Sequence, residues 1–240
     1  MKSLLAALAF LTVSLSSSFA FDHTPLTGVL NTYVDENGMV NYESLKSNRG
    51  ALDAYLKKTG AVSEKELKGW SKDEQLAFYI NVYNAETLKF IIDNYPVDTI
   101  KDLGGFLSTP WDKKVVTLFG EETTLNAVEH KIIRKQFDEP RIHFALVCAA
   151  ISCPPLRSEA YTGAKLESQL DNQARVFMAQ NAKNRIEGDT LYLSSIFDWY
   201  GGDFESKEKS LIQYVDPYID GSAVGKKVEF TDYDWSLNKQ

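Results

Sequence analysis

The longest amphipathic pattern in the chain begins at Ser71. Ser71 and Glu74 form a capping box, in which each side chain accepts a hydrogen bond from a backbone amide near the helix start. Apolar residues then recur at helical spacing on one face, and charged residues, Glu86 among them, lie opposite. The pattern predicts one helix from Ser71 to about Asn94, which ends before Pro96.

Further helices are predicted by shorter stretches of the same spacing, with a helical turn at 63–67. They cover residues 26–33, 44–58, 124–137, 164–181 and 206–215.

Extended segments are predicted in three places. Two hairpins form at glycine turns, one at 114–119 with its turn at Gly120 and one at 185–197 with its turn at Gly188. Residues 141–149 are apolar on both faces of a strand, which predicts a buried central strand. With residues 198–204 as a loop, the mixture predicts a single-domain α+β fold, with several helices packed on a small, mostly antiparallel sheet.

The first 20 residues predict a signal peptide. Lys2 precedes a short apolar run, and the small residues Ser18 and Ala20 suit cleavage after Ala20. We therefore expect an exported domain over 21–240, periplasmic or secreted. Since no other stretch approaches membrane length, no integral membrane segment is expected.

The composition of the chain limits the classes of ligand and partner to be expected. A net charge of -7 disfavours nucleic acid, because phosphate binding needs clustered Lys and Arg. Aromatic residues make up 12% of the chain and hydrophobic residues 44%, which is enough for a packed core. A small molecule or a peptide is the expected ligand.

Both cysteines lie in the segment 141–156 and allow two interpretations. In an oxidising compartment, Cys148 and Cys153 are candidates for a disulfide. Alternatively, Cys153 is a thiol nucleophile, favoured as thiolate if a short helix begins at the prolines that follow it. Strand alternation would place His143 and Cys148 on opposite faces, so Cys153 is the better nucleophile beside His143.

Other polar residues extend this candidate site. His130 is the competing base, and Glu129, on the buried stripe of its helix, requires a partner. Asn84 lies at the centre of the apolar face of the long helix and Asn81 at its edge. Each amide either satisfies backbone groups of a neighbouring loop or serves the site, by orienting the imidazole or binding substrate.

Two further points complete the candidate site. Arg157 follows the cysteine turn as a possible partner of Glu129, while Trp199 and Asp203 are either packing and loop-capping residues or part of a cleft wall. The cysteines and histidines could fill a tetrahedral centre, but their spacing matches no familiar zinc pattern, so no metal or cofactor is expected.

Several motifs in the same order resemble the DUF547 family, over residues 70–205. They are FYINVYNA (78–85), VEH (128–130), HFALVCA (143–149), SCPPL (152–156), LDNQAR (170–175) and WYGGDF (199–204). Family members are commonly exported bacterial proteins without an agreed function. By analogy, these positions resemble those of papain-like or transglutaminase-like thiol enzymes. The resemblance points to Cys153 or Cys148, His143 or His130, and Glu129, Asn81 and Asn84.

The leading hypothesis is a thiol-dependent hydrolase or acyltransferase that acts on an amide or thioester. Cys153 would be the nucleophile and His143 the base, oriented by Glu129 or Asn84. The alternative is a module that binds a peptide or small thiol, with a Cys148–Cys153 disulfide and no catalysis.

Overall fold

The structure, a computed structural model, describes residues 21–105, 108–207 and 210–240. The predicted signal peptide, residues 1–20, lies outside the described residues. Short helices surround one long helix, and two small sheets lie at the periphery. The helices are α1 (Thr24–Tyr33), α2 (Tyr42–Ser47), α3 (Gly50–Gly60), α4 (Glu64–Lys68), α5 (Lys72–Asn94), α6 (Arg134–Gln136), α7 (Ile142–Ala145), α8 (Leu166–Met178), α9 (Ser195–Trp199), α10 (Gly201–Glu205) and α11 (Leu211–Val215).

Helix α5 confirms the prediction of a long capped helix. Glu74 N–H donates to Ser71 Oγ at 3.2 Å, and Ser71 N–H donates to Glu74 Oε2 at 3.0 Å. The helix is buried along almost its whole length because other elements pack around it. The prediction of a charged face was therefore wrong for Glu86, which is 3% exposed and accepts a bond from Thr117 N–H at 3.2 Å.

Both predicted hairpins form. Strands β1 (Lys114–Leu118) and β2 (Glu121–Thr124) pair antiparallel, as do β3 (Arg185–Glu187) and β4 (Thr190–Ser194). Their turns use Gly120 and Gly188 at positive φ, where glycine carries no steric cost. Strand β5 (Lys227–Thr231) joins β4 in parallel, which completes a three-stranded sheet in a mixed α and β domain.

The predicted central strand at 141–149 is wrong. Residues 142–145 form the helical turn α7, and the chain then runs extended to the first cysteine. A short, wholly apolar run fits a buried helical turn as well as a buried strand, so periodicity could not separate them. Asn84 on α5 decides the outcome: its amide donates to the Ala145 carbonyl at 2.8 Å and accepts from Val147 N–H at 2.9 Å.

Two more predictions need correction. The predicted loop at 198–204 is instead the end of α9 followed by α10, because Phe204 and neighbouring aromatic side chains pack into the core. The predicted helix at 206–215 is helical only in α11, and residues 208–209 of that stretch are not described. Within the predicted helix 124–137, Ala127–Ile133 is π-helical, a feature frequent at functional sites.

The carboxyl-terminal tail covers the cysteine turn. Ile151 N–H donates to the Ser236 carbonyl at 2.8 Å, and Ser152 N–H donates to the Asp234 carbonyl at 3.1 Å. These bonds hold the tail's aromatic residues beside the cysteines. None of the helices within the described ranges is long and apolar enough to cross a membrane.

Candidate functional site

A cavity of about 320 Å³ opens between the long helix, the π-helical segment, α7, the cysteine turn, α9 and the tail. Its size is at the lower end of the range for small-molecule sites. Among the described residues, six of the sixteen that line it are tyrosine or tryptophan, and its polar side chains come from separate parts of the chain. The residues that carry chemistry there are Glu129, His130, His143, Cys148, Cys153, Tyr83, Tyr200 and Tyr233.

The two cysteines are joined as a disulfide, which confirms that interpretation of their spacing. Cys148 N–H donates to the Cys153 sulfur at 3.0 Å, and the Tyr233 hydroxyl lies 3.2 Å from both sulfurs. The helix at Pro154 or Pro155 that would have favoured the thiolate does not form, because the chain continues without helical structure there. The two polar donors, rather than a helix dipole, therefore provide the stabilisation available to a thiolate on Cys153.

His143 is held by a carboxylate that is distant in sequence. Its Nε2 lies 2.8 Å from Asp203 Oδ2, and its ring stacks on Tyr200 with centroids 3.9 Å apart. Arg134 donates to both oxygens of the same carboxylate, from Nε at 2.6 Å and from Nη2 at 2.8 Å. The bonds from His143 and Arg134 hold the pKa of Asp203 well below its usual range, so that Asp203 remains a carboxylate.

These contacts determine which nitrogen of His143 carries the proton. A carboxylate only accepts, so Nε2–H is the donor and the lone pair of the neutral ring is on Nδ1. Burial lowers the pKa of His143 even though Asp203 opposes the shift, so the imidazole is neutral at neutral pH. Among the described residues Nδ1 has no hydrogen-bond partner, and the ring lines the cavity. This is the state of a general base.

Asp203, rather than Glu129 or Asn84, is the residue hydrogen-bonded to His143. Glu129 is buried and accepts a bond from the Tyr200 hydroxyl at 2.7 Å, with His130 Nε2 at 4.0 Å. Arg157, the partner that the sequence suggested for Glu129, pairs with Glu159 instead.

His130 is held by Arg134. Arg134 Nη1 lies 2.9 Å from His130 Nδ1, and a guanidinium has only donors, so Nδ1 accepts in this contact. The tautomer that makes this bond has its proton on Nε2, which is the nitrogen nearer Glu129. His130 lines the cavity, but its lone-pair nitrogen is occupied by Arg134, which makes His143 the better-placed base.

Four predicted site residues do not line the cavity: Asp203, which contacts His143 without reaching the cavity, and Asn81, Asn84 and Arg157. Asn81 donates to the Tyr161 carbonyl at 2.7 Å and accepts from Tyr161 N–H at 2.9 Å. Asn84 makes the equivalent pair of bonds to the segment after α7. Arg157 donates to Asn172 Oδ1 at 2.7 Å in addition to its ion pair. Each of these side chains holds a neighbouring part of the chain in place.

The outer wall of the cavity is a cluster of four aromatic residues, Trp111, Trp199, Tyr233 and Trp235. Trp199 stacks on Trp235 with centroids 5.8 Å apart, and Tyr233 lies 4.5 Å from Trp235 and 4.7 Å from Trp199. Trp199 remains 47% exposed, at the mouth. The sequence suggested Trp199 for a cleft wall, and it lies in one; Tyr233 and Trp235 join it from the tail through contacts that spacing along the chain does not reveal.

Comparison of the chain with curated proteins and with solved structures found no match. In the part of the chain that the structure describes, no group of three or more His, Cys, Asp and Glu residues is arranged to hold a metal ion. The family model described as "Protein of unknown function, DUF547" matches residues 67–178. This segment contains His143 and both cysteines but ends before Asp203, and the match supports the DUF547 family resemblance that the motifs indicate.

Proposed function

We propose that the protein, with its disulfide reduced, is a thiol-dependent hydrolase or acyltransferase that acts on amides or thioesters. The observation that carries the proposal is the state of His143, a neutral imidazole fixed by Asp203 at 2.8 Å and lining the same cavity as Cys153. A histidine that is buried, oriented by a carboxylate and lining the same cavity as a cysteine is an arrangement that can activate a thiol.

The proposed reaction uses these groups in sequence. His143 Nδ1 takes the proton of the Cys153 thiol, and the thiolate attacks the acyl carbon. The bond from that carbon to the leaving nitrogen or sulfur breaks, and the imidazolium protonates the leaving group. Water or an acceptor nucleophile, deprotonated by His143, then releases the acyl group from Cys153. Asp203 stabilises the imidazolium, and the Cys148 N–H and the Tyr233 hydroxyl are the donors nearest the reacting sulfur.

Cys148 sets the condition under which this chemistry runs. In the disulfide neither sulfur is a thiolate, so the oxidised protein should be inactive. We propose further that the chain is exported with residues 1–20 removed, which places the disulfide in a compartment where it persists. Under this proposal a reductant, not only a substrate, controls turnover.

The test is turnover of acyl anilides and acyl thioesters by the full chain, with and without a phosphine reductant. Activity is expected only after reduction. Cys153→Ser should abolish it, and Cys148→Ser should be active without reductant because no disulfide can form. Asp203→Asn should lower kcat and leave KM nearly unchanged, since it disturbs the base rather than substrate contacts. A Cys153→Ser protein that remains as active as Cys148→Ser would overturn the assignment of the nucleophile.

A second measurement tests the thiol without a substrate. In Cys148→Ser, iodoacetamide should label Cys153 well below pH 8, and His143→Ala should slow the labelling. Labelling that follows an ordinary thiol and ignores His143, together with no turnover, would contradict the enzyme. The intact disulfide favours the second candidate, a binding module without catalysis, and that candidate would then lead.

A further inference from the structure

The described residues that line the cavity include an acidic side chain, that of Glu129, but no lysine or arginine. Burial keeps His143 neutral, and His130 Nδ1 accepts from Arg134. The wall therefore carries a negative charge that no lining cation balances.

Cationic neighbours lie behind the wall rather than in it. Arg134 does not line the cavity, and its guanidinium is bonded to both oxygens of Asp203. Lys183 also lies outside the lining and donates to the Cys153 carbonyl at 2.6 Å. The chain as a whole is acidic, with a net charge of -7, which favours the approach of cations over anions.

Tyrosine and tryptophan rings form a large part of the wall. Six such rings from the described residues line the cavity: Tyr83, Trp111, Trp199, Tyr200, Tyr233 and Trp235. Ring faces attract cations, most strongly for tryptophan. Two of these rings already contact cations of the chain itself: Lys101 Nζ lies 4.5 Å from the Trp235 centroid, and the Arg134 guanidinium carbon lies 5.1 Å from the Tyr200 centroid.

We propose that the cavity binds an organic cation with a quaternary or N-methylated ammonium group, and that the substrate of the site carries such a group. A primary ammonium needs several hydrogen-bond acceptors, whereas N-methyl groups are satisfied by ring faces and one carboxylate. Glu129 suits this role because it is buried and already held by Tyr200. The substrate part of the inference rests on the proposed function, but the binding part does not.

The experiment measures binding to the oxidised full chain, so that turnover is not required. The probe is choline, and its control is 3,3-dimethylbutan-1-ol, which has the same shape with carbon in place of the charged nitrogen. Affinities are measured by calorimetry and by tryptophan fluorescence, since three tryptophans line the cavity. We expect choline to bind at least about tenfold more tightly than the alcohol, the range that cation–π and charge contacts supply. Equal affinities, or no binding of either probe, would overturn the inference.

Two variants locate the site. Glu129→Gln removes the charge but keeps an acceptor for Tyr200, and it should abolish the preference for choline. Glu121→Gln makes the same change of net charge at an exposed position on β2, and should leave the preference unaltered. If Glu129→Gln does not fold, Trp199→Leu at the exposed mouth should weaken choline by several-fold. A preference for choline that Glu129→Gln leaves unchanged, or a choline affinity that Trp199→Leu leaves unchanged, contradicts the site.

The outcomes separate this inference from the proposed enzyme. Choline binding without acyl transfer in the reduced protein would retain the cation site and reject the enzyme. Acyl transfer without any preference for cationic substrates would retain the enzyme and reject the cation site.

Discussion

Asn84 positions the segment between the proposed base and the cysteine turn, and Asn84→Ala tests that role. Its amide donates to the Ala145 carbonyl at 2.8 Å, and its oxygen accepts from Val147 N–H at 2.9 Å. All of these groups are buried, between His143 on α7 and Cys148. Alanine leaves one buried acceptor and one buried donor without partners, and removes the link from α5 to this segment.

The expected loss follows from those two groups. Each buried polar group left without a partner costs about 1–3 kcal/mol, so the two together predict a loss of about 2–6 kcal/mol. That is a large part of the ~5–15 kcal/mol by which a typical domain is stable. Urea unfolding followed by circular dichroism measures this loss of stability. The dependence of the free energy of unfolding on urea concentration should be the same in the variant and the parent protein.

Asn94→Ala is the matched control, because Asn94 is the exposed last residue of the same helix and donates to the Phe90 carbonyl at 2.8 Å. We expect it to cost about 1 kcal/mol or less, as an exposed hydrogen bond does. Asn84→Asp should be as damaging as alanine, since an ionised carboxylate cannot donate to the Ala145 carbonyl. A loss for Asn84→Ala no larger than that for Asn94→Ala would refute the structural role and return Asn84 to the substrate-binding hypothesis.

Three further predictions concern buried charge and the disulfide. Burial raises the pKa of Glu86 to about 7, above its unfolded value of 4.5, so stability is lost as the pH rises through 7. Glu86→Gln should therefore raise the free energy of unfolding by about 2–3 kcal/mol at pH 8 and little at pH 4, and equal effects at both pH values would disprove this. Burial lowers the pKa of His23 to about 4, below its unfolded value of 6.5, so its contribution is present above pH 6.5 and is lost as the pH falls toward 4. Urea titrations should show that the free energy of unfolding falls by about 2–3 kcal/mol across that pH window, and that His23→Gln reduces this fall. The same dependence of the free energy of unfolding on pH in the variant would contradict the prediction. Finally, a small thiol should attack the sulfur of Cys148, which is half-buried, and release Cys153 as the thiolate stabilised by the Cys148 N–H and the Tyr233 hydroxyl. Trapping the mixed disulfide and mapping its peptide should place the adduct on Cys148, whereas an adduct on Cys153 would reverse the assignment.

Local signals account for the elements that were predicted correctly. The capping box at Ser71 and Glu74 starts α5 by hydrogen bonds within one turn, and Gly120 and Gly188 allow the positive φ of their hairpin turns. Each signal acts between residues that are close in the chain. Helix and hairpin starts can be predicted from such residues alone.

Burial was harder to predict because it depends on what packs against an element. Glu86 lies opposite the most apolar face of α5, but the helix is enclosed on that side too, by the segment that carries Thr117. The run 141–149 was predicted as a strand because it is apolar throughout. It forms a helical turn because Asn84 satisfies the backbone groups that a neighbouring strand would otherwise bond.

The sequence by itself determined which reactive residues the candidate site contains: the two cysteines, His143, His130 and Glu129. These residues lie close together in the chain around one apolar segment, so a common site could be predicted. Only the tertiary structure decided their hydrogen-bond partners. Asp203 reaches His143 across 60 residues of sequence, and Tyr233 reaches Cys153 across 80. Hydrogen bonds of this kind depend on how helices and tail pack, and no periodicity or spacing along the chain records that packing.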